Sequence, residues 1–394
     1  MKILFVSSSS GSRGGGELYL IYLGQELANR GHTVGLWCSQ DTEMDELAIS
    51  FSKFGKVLRS PYTNTYKRKF RSFTHIFPKI NQEIISQWQL FKPDILHINK
   101  QNLEDGLDLL AWSNYLSIPS VTTVHITQTQ ASLGAVLGNW RDVIAKQALI
   151  KYRGTLLAIS ENRSKELAFF LSPTTKNPRK NLRKILAINN GVNVPTEKER
   201  LTQRQAARLQ LKLNPHKLLI VAVARMESQK QPLLFLKWAA HLKLNLPSAQ
   251  FLWVGDGRLT PEWDQWVIEN NAQNYIQRLG WQNDVTPYLA AADGFFHPAA
   301  FEGLPFALLE AMAWCLPCVI TSTLAEELKF PQGVYFVTSE KNNFEELDNF
   351  IDTQKRNIVA IAGYKLINQL FSLEKMVDNY VALYQDLLSN PFPV

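Results

Sequence analysis

Residues 301–313 read FEGLPFALLEAMA, and two carboxylates, Glu302 and Glu310, stand eight positions apart around a Gly-Leu-Pro entry to an apolar run. A helix opening near Pro305, whose fixed φ suits a first turn, puts the two carboxylates about 10 Å apart along its axis. A pair acting as acid and base across one bond needs roughly 5 to 9.5 Å, so two separate handles on one ligand fit better. Between them, the Gly303-Leu304 turn and Phe306 supply the N–H groups of a helix start, which attract anions. A buried helix with one solvated and one salt-bridged glutamate is the plainer alternative, and spacing alone leaves both readings open.

A second constellation is VAVARMESQKQP, where Arg225 ends an apolar strand and Lys230 follows at a helix start near that position. Two cations at the carboxyl end of a strand suit a phosphate or diphosphate; a random surface pair is the alternative. A third is SSSSGSRGGGEL, between the first strand and the first helix. Its glycines, Gly11, Gly14, Gly15 and Gly16, do not follow G-x-G-x-x-G, and no Gly-Lys-Ser/Thr follows them. This weakens a dinucleotide site and a P-loop, and leaves either a flexible Gly14-Gly15 backbone approaching a ligand or a plain turn. His125 closes SVTTVHI and His97 closes DILHI, each as a ligand contact or as a structural histidine. Ser160, before ENRSKEL, reads first as a helix N-cap. Cys315 and Cys318 have C-x-x-C spacing but no second cysteine pair, which argues against zinc or redox work. No Asp-x-Asp, H-E-x-x-H or G-x-S-x-G occurs, so charge stabilisation falls to cations and helix dipoles.

These residues need elements to hold them. Short apolar runs (KILFV, TVGLWC, DILHI, SVTTVHI, TLLAIS) alternate with helix-period segments, the rhythm of βαβ units around a parallel sheet. A polar, charged stretch opened by Pro195 reads as a linker over roughly 192–204, after which LLIVAVAR restarts the pattern. At 394 residues two domains are expected. Two doubly wound domains in tandem bind ligands in a cleft at the carboxyl ends of their strands. The last stretch, LINQLFSLEKMVDNYVALYQDLL, is helical with no strand after it, so it must pack on something already built.

Composition excludes other classes. Hydrophobic residues make up 45% and charged residues 20%, as in a soluble globular protein. Three cysteines do not make a disulfide framework. The N-terminal ILFV is shorter than the roughly 7 to 15 apolar residues of a signal-peptide core, and no run nears the roughly 20 that span a bilayer. A cytoplasmic protein is expected. Residues 1–200 hold 26 Lys and Arg against 16 Asp and Glu, the remainder 16 against 19. The basic excess is therefore N-terminal, where it can attract an anionic partner or simply be solvated.

Taken together, GGGE after the first strand, LLAISENRSKEL, INNGVNV, VARMESQKQP, VGDG and FEGLPFALLEAMAWCLPCVITS resemble the family 4 retaining glycosyltransferases of the GT-B fold, in the family's order and over most of the chain. The resemblance implies an α/β protein of two Rossmann-like, doubly wound domains facing a central cleft. Residues 1–192 would bind acceptor, 204–374 nucleotide sugar, and the helix in 375–394 would cross back to the first domain. It implies that Glu302 contacts hydroxyls of the donor sugar and Glu310 the nucleotide ribose, at the Gly303, Leu304 and Phe306 helix start. Arg225 and Lys230 would hold the donor diphosphate, with Gly14 and Gly15 approaching it and His125 beside the transferred sugar. No metal and no cofactor are implied; a UDP- or GDP-sugar is substrate. The chain departs from the family pattern at Ala224 and Cys315, both commonly glycine, and after Ser322, where TLAEELKFPQG replaces a Gly-Gly turn near the donor.

The implied activity is transfer of a hexose-type sugar to a glycan or lipid-linked acceptor, in envelope or exopolysaccharide synthesis. Alternatives are an inactive nucleotide-sugar-binding subunit or a nucleotide-sugar epimerase on the same fold; an NAD-dependent dehydrogenase is weakened by the glycine spacing. Two basic stretches, 65–73 with interleaved Tyr66, Phe70 and Phe73, and 174–184, suit peripheral contact with the anionic inner face of a membrane. Aromatic and basic residues together also suit single-stranded nucleic acid, which the resemblance argues against.

Overall fold

The computed structural model describes residues 1–9, 11, 13–63, 80–172, 185–213, 217–339 and 344–390. The basic stretches 65–73 and 174–184 lie outside them. The chain divides into two compact units, the first made of residues 1–190 with 373–394 and the second of 191–372.

The first unit carries β1 (Lys2–Ser7), β2 (Thr33–Ser39), β3 (Lys56–Ser60), β4 (Ile95–Lys100), β5 (Ser120–Val124), β6 (Thr155–Ala158) and β7 (Leu186–Ala187). They form one sheet in the order β3-β2-β1-β4-β5-β6-β7, with parallel pairing throughout. β1 and β4 are buried almost along their whole length, because helices cover both faces of a parallel sheet and leave no polar side for alternation. The covering helices are α1 (Gly15–Asn29), α2 (Asp45–Ser52), α3 (Gln82–Phe91), α4 (Leu107–Ser113), α5 (Gly138–Lys151) and α6 (Glu161–Leu171). Asn81 caps α3 through Ile84 N, and Ser160 caps α6 through Arg163 N, the role read for it from sequence. Trp37 and Trp88 meet edge to face at 5.6 Å in the core.

The second unit carries β8 (Leu219–Val223), β9 (Gln250–Val254), β10 (Ile276–Arg278), β11 (Gly294–His297), β12 (Cys318–Thr321) and β13 (Phe336–Thr338), in the parallel order β10-β9-β8-β11-β12-β13. Its helices are α7 (Glu197–Gln210), α8 (Pro232–Asn245), α9 (Thr260–Glu269), α10 (Thr286–Ala291), α11 (Phe306–Ala313), α12 (Ser322–Leu328) and α13 (Thr353–Leu370). Phe235, Trp238, Trp253 and Trp263 fill the core beside β8 and β9. Each such aromatic is worth about 1.5–3 kcal/mol of burial. In both sheets the strand order reverses between two central strands, β1 and β4 in the first and β8 and β11 in the second. Doubly wound sheets bind ligands beyond the carboxyl ends of such strands.

Two expectations are corrected. The segment 192–204 is not a linker: Thr196 closes a capping box with Glu199 and starts α7, which Arg204 and Arg208 tie to Asp293. The sequence after Ser322 is not a loop, because Thr321 accepts from Leu324 N and starts α12, which ends at Lys329 with φ 53°. The final helix, α14 (Leu373–Ser389), belongs to the first unit, where Tyr380 and Tyr384 are buried and Arg30 reaches Asp378 at 2.5 Å.

Cys315, just past α11, has φ 60°. A side chain there costs roughly 1–2 kcal/mol that glycine does not incur. Cys315→Gly should therefore raise the midpoint of thermal unfolding, by about 0.5–1 kcal/mol of stability once the half-buried thiol's lost packing is subtracted. A lowered midpoint would show that the packing matters more.

Candidate active site

The loop leaving β8 carries Arg225, exposed, then the short turn Ser228–Lys230 and α8, which begins at Pro232 rather than at Lys230. The loop leaving β11 carries Ala300, Phe301 and Glu302. Gln229 joins the two: its carbonyl accepts from Ala300 N at 2.9 Å, and its side-chain amide donates to the Phe301 carbonyl at 2.9 Å. This brings the Lys230 ammonium against Glu302 Oε1. Arg225 and Lys230 on one loop, and Glu302 far from them in sequence, thus belong to one strand-end region of the second unit. Burial, and after it the Arg225 guanidinium, push Lys230 down to about 7.

The β8 loop sits tightly on its neighbour. Gly255 has φ 133°, and a Cβ there would stand 2.1 Å from the Ala224 carbonyl oxygen. A Cβ on Gly257 would stand 2.6 Å from the Met226 carbonyl oxygen, and Met226 N donates to the Asp256 carbonyl at 2.7 Å. The Val-Gly-Asp-Gly turn therefore braces both peptides flanking Arg225, and only glycine allows the approach.

Glu302 also takes a second anchor, its backbone N donating to Glu327 Oε2 at 2.7 Å from α12. Gly303 and Leu304 lead to α11, which starts without a side-chain cap after Pro305; Leu304 and Phe306 are buried and Glu310 is half-buried. An uncapped helix start carries the positive end of the helix dipole.

One member of this group was passed over in the sequence, His297. It ends β11, is 2% exposed, and places Nε2 3.5 Å from the same Glu302 oxygen that Lys230 touches. Burial, then the Lys230 charge, hold it well below the usual imidazole range, so it is neutral. Its ring stacks on Phe295 at 6.1 Å. The β8–β11 register, Val221 opposite Phe295, continues to set His297 level with Val223. Within GFFHPA it looks like one more strand residue, and only that strand adjacency reveals it.

In the first unit, Gly14 precedes α1 in extended backbone and Gly15 opens the helix. A Cβ on Gly16 would meet the Gln101 amide at 2.2 Å, and Gln101 donates at 2.8 Å to Glu17, whose carboxylate also takes the Ser9 hydroxyl. The Asn99 amide donates to the Gly16 carbonyl at 3.2 Å, which turns Asn99 Oδ1 toward His125 Nε2 at 2.7 Å. His125 Nε2 therefore carries the proton, and Nδ1 is an acceptor. Burial lowers His125 to about 3, so it is a neutral hydrogen-bonding group at physiological pH. The glycine turn and His125 are thus linked through one asparagine. His97 belongs to a different network: Nδ1 meets the Tyr384 hydroxyl at 2.6 Å and Nε2 meets Thr123 at 2.8 Å. It anchors α14. Cys315 and Cys318 are free thiols, raised by burial and unreactive.

Two parallel doubly wound units, one with cations and a carboxylate at its reversal point, make this a GT-B protein. Two family models match the chain in succession, Glycosyltransferase Family 4 over residues 13–171 and Glycosyl transferases group 1 over residues 217–349. The chain belongs to the family 4 glycosyltransferases. It is 26% identical over 333 residues, 78% of this chain and 80% of the relative, to the Escherichia coli UDP-Gal:alpha-D-GlcNAc-diphosphoundecaprenol alpha-1,3-galactosyltransferase. Anabaena Alr3699/HepE, solved in complex with UDP and glucose, superposes with a TM-score of 0.73 at 19% identity, covering 98% of this chain and 100% of that one. A glycosyltransferase from Rickettsia africae gives 0.69 at 18% identity, over 99% of each chain.

Proposed function

We propose that the protein is a retaining, metal-independent hexosyltransferase that uses a UDP-sugar and glycosylates a lipid-linked acceptor in envelope or exopolysaccharide synthesis. The observation that carries this reading is the gathering of Arg225, Lys230 and Glu302 beyond the carboxyl ends of β8 and β11. Arg225 and Lys230 bind the donor diphosphate, Glu302 a sugar hydroxyl and Glu310 the ribose, at the Gly303, Leu304 and Phe306 helix start. The charge on the departing diphosphate is met by the two cations and the dipole of α11. Uracil is preferred to guanine because the E. coli relative's name specifies UDP-Gal.

In the proposed reaction the acceptor hydroxyl oxygen bonds to the anomeric carbon on the face from which the diphosphate leaves. The bond from that carbon to the phosphate oxygen breaks, and the acceptor proton passes to that oxygen, so the configuration is kept. The first unit supplies the acceptor side, with Gly14, Gly15 and neutral His125 as the contacts to donor phosphate and transferred sugar. The acceptor class follows the same relative, which acts on a diphosphoundecaprenol-linked sugar. Cytoplasmic location with peripheral membrane contact through the basic N-terminal stretches belongs to this proposal; no described helix is long and apolar enough to cross a membrane.

The test is a thermal-shift screen of UDP, GDP, ADP, their sugar conjugates and NAD in EDTA, followed by transfer assays with polyprenyl-diphosphate-linked sugars. Saturation at about 100 times Kd adds roughly 2.7 kcal/mol. UDP or a UDP-hexose should stabilise the chain and NAD should not. Stabilisation by NAD alone, or by no nucleotide, overturns the proposal. UDP binding without turnover on any acceptor would favour a non-catalytic subunit, whose structural basis would be the α12 helix and Glu327 beside Glu302.

A further inference from the structure

We propose that the exposed apolar face running from Leu133 to Ile150 in the first unit docks onto an anionic lipid bilayer. The purpose rests on the lipid-linked reading above; the surface stands on its own observations. Val136 is 83% exposed, Leu137 73%, Trp140 54%, Val143 50% and Ile150 54%, with Leu133 at 44%. Trp140, Val143 and Ile150 lie on the solvent side of α5, whose opposite side buries Ile144, Ala145 and Leu149 in the core. The helix is therefore apolar on both faces, and among the described residues only one face is covered. Large apolar side chains exposed together on one side, with the exposed polar Gln147 among them, mark a contact with a partner or a membrane.

Charge selects the occupant. From residue 126 to 153 the chain carries Arg141, Lys146, Lys151 and Arg153 and a single acid, Asp142. Asp142 is buried, accepting from the backbone N–H groups of Gln130 at 2.7 Å and Ala131 at 3.0 Å. Arg141 is held by Glu104 and Gln130, and Lys146 by the Ser172 carbonyl, while Lys151 and Arg153 are exposed. The segment presents apolar side chains, an indole and cations, with no exposed carboxylate of its own. A second copy of the same positive face would be repelled. Apolar side chains entering the headgroup boundary, flanked by cations, are what hold a peripheral element on an anionic membrane.

The test is flotation of the full chain with vesicles of phosphatidylglycerol and phosphatidylcholine, and with phosphatidylcholine alone. The wild type should float with the anionic vesicles, and the double variant Val136→Gln/Trp140→Gln should lose at least about tenfold in partitioning. Both sites are exposed, so its unfolding midpoint should match the wild type, and Leu244→Gln, at an exposed leucine of the second unit, should float normally. Wild-type chain that stays unbound, or a double variant that floats like the wild type, overturns the proposal. So does a wild-type dimer that the double variant dissolves, which would make the face a self-association surface. Nucleotide stabilisation is read on the same samples: a chain that binds UDP but not vesicles sinks this surface alone, and one that floats without responding to any nucleotide sinks the transferase reading alone.

Discussion

Lys230→Ala should lower turnover about 10²- to 10³-fold while the chain stays folded, because removing one preorganised donor from a developing oxyanion has that scale of effect. Charge appears on the diphosphate only as the sugar leaves, so the loss should fall mainly on kcat, with a smaller change in KM for the donor. A pH arm separates Lys230 from a merely structural lysine. In the free site its ammonium touches the Glu302 carboxylate, which favours the charge, while burial and then Arg225 push it down to about 7. A bound diphosphate brings negative charge beside it and raises that value again. Between the two values the complex holds more protons than the free protein, so donor affinity should weaken as pH rises from 7 toward 9, by up to about tenfold per unit. In Lys230→Met this slope should vanish. Near-normal turnover in the alanine variant, or the same slope in both proteins, would remove Lys230 from the donor site.

The cluster around Lys230 also shows how far the sequence could be read. The central strands announced themselves as apolar runs ended by Gly, Pro or a polar residue, since strands buried on both faces need no alternation; β3, β7 and β13, at the sheet edges, gave no such signal. Arg225 and Lys230 were visible because cations at a strand end stand out. His297 was not, because its importance depends on β11 lying beside β8, a pairing that skips β9 and β10 in the chain. The helix α7 was missed for a local reason: most of EKERLTQRQAARLQ faces solvent, so it lacks the apolar stripe by which helices are recognised. Its capping box, Thr196 with Glu199, was the signal available. The α12 helix was obscured by the opposite cause. The family resemblance suggested a turn after Ser322, while Thr321 at the cap and the Ala, Glu and Leu that follow favoured a helix. In both places short-range capping chemistry was the better guide.

The largest expected effect on stability concerns acid and the first unit. His97 is fully buried among Phe5, Tyr19, Tyr380 and Tyr384, and His125 lies against Tyr19 at 5.0 Å. Burial lowers both to about 3, with His125 adding to the effect on His97. In the unfolded chain each titrates near 6.5. Above that value both states hold the same protons and the histidines contribute no pH dependence. As pH falls below about 6.5 the unfolded chain takes up two protons that the native unit refuses, and stability declines until about pH 3, where the native histidines also charge. By pH 5 each histidine should cost about 2 kcal/mol, hence about 4 for the pair, a large share of the roughly 5–15 kcal/mol of an ordinary domain. Because Tyr384 holds His97 Nδ1 directly, the amides of α14 should report the loss in native-state hydrogen exchange. His97→Gln keeps a neutral hydrogen-bonding group and removes one titration, so the fall in stability between pH 6.5 and 5 should shrink by about half, whatever the variant costs at neutral pH. An unchanged slope would mean that folding does not depress His97, and that the Tyr380 and Tyr384 cage does not exclude an imidazolium.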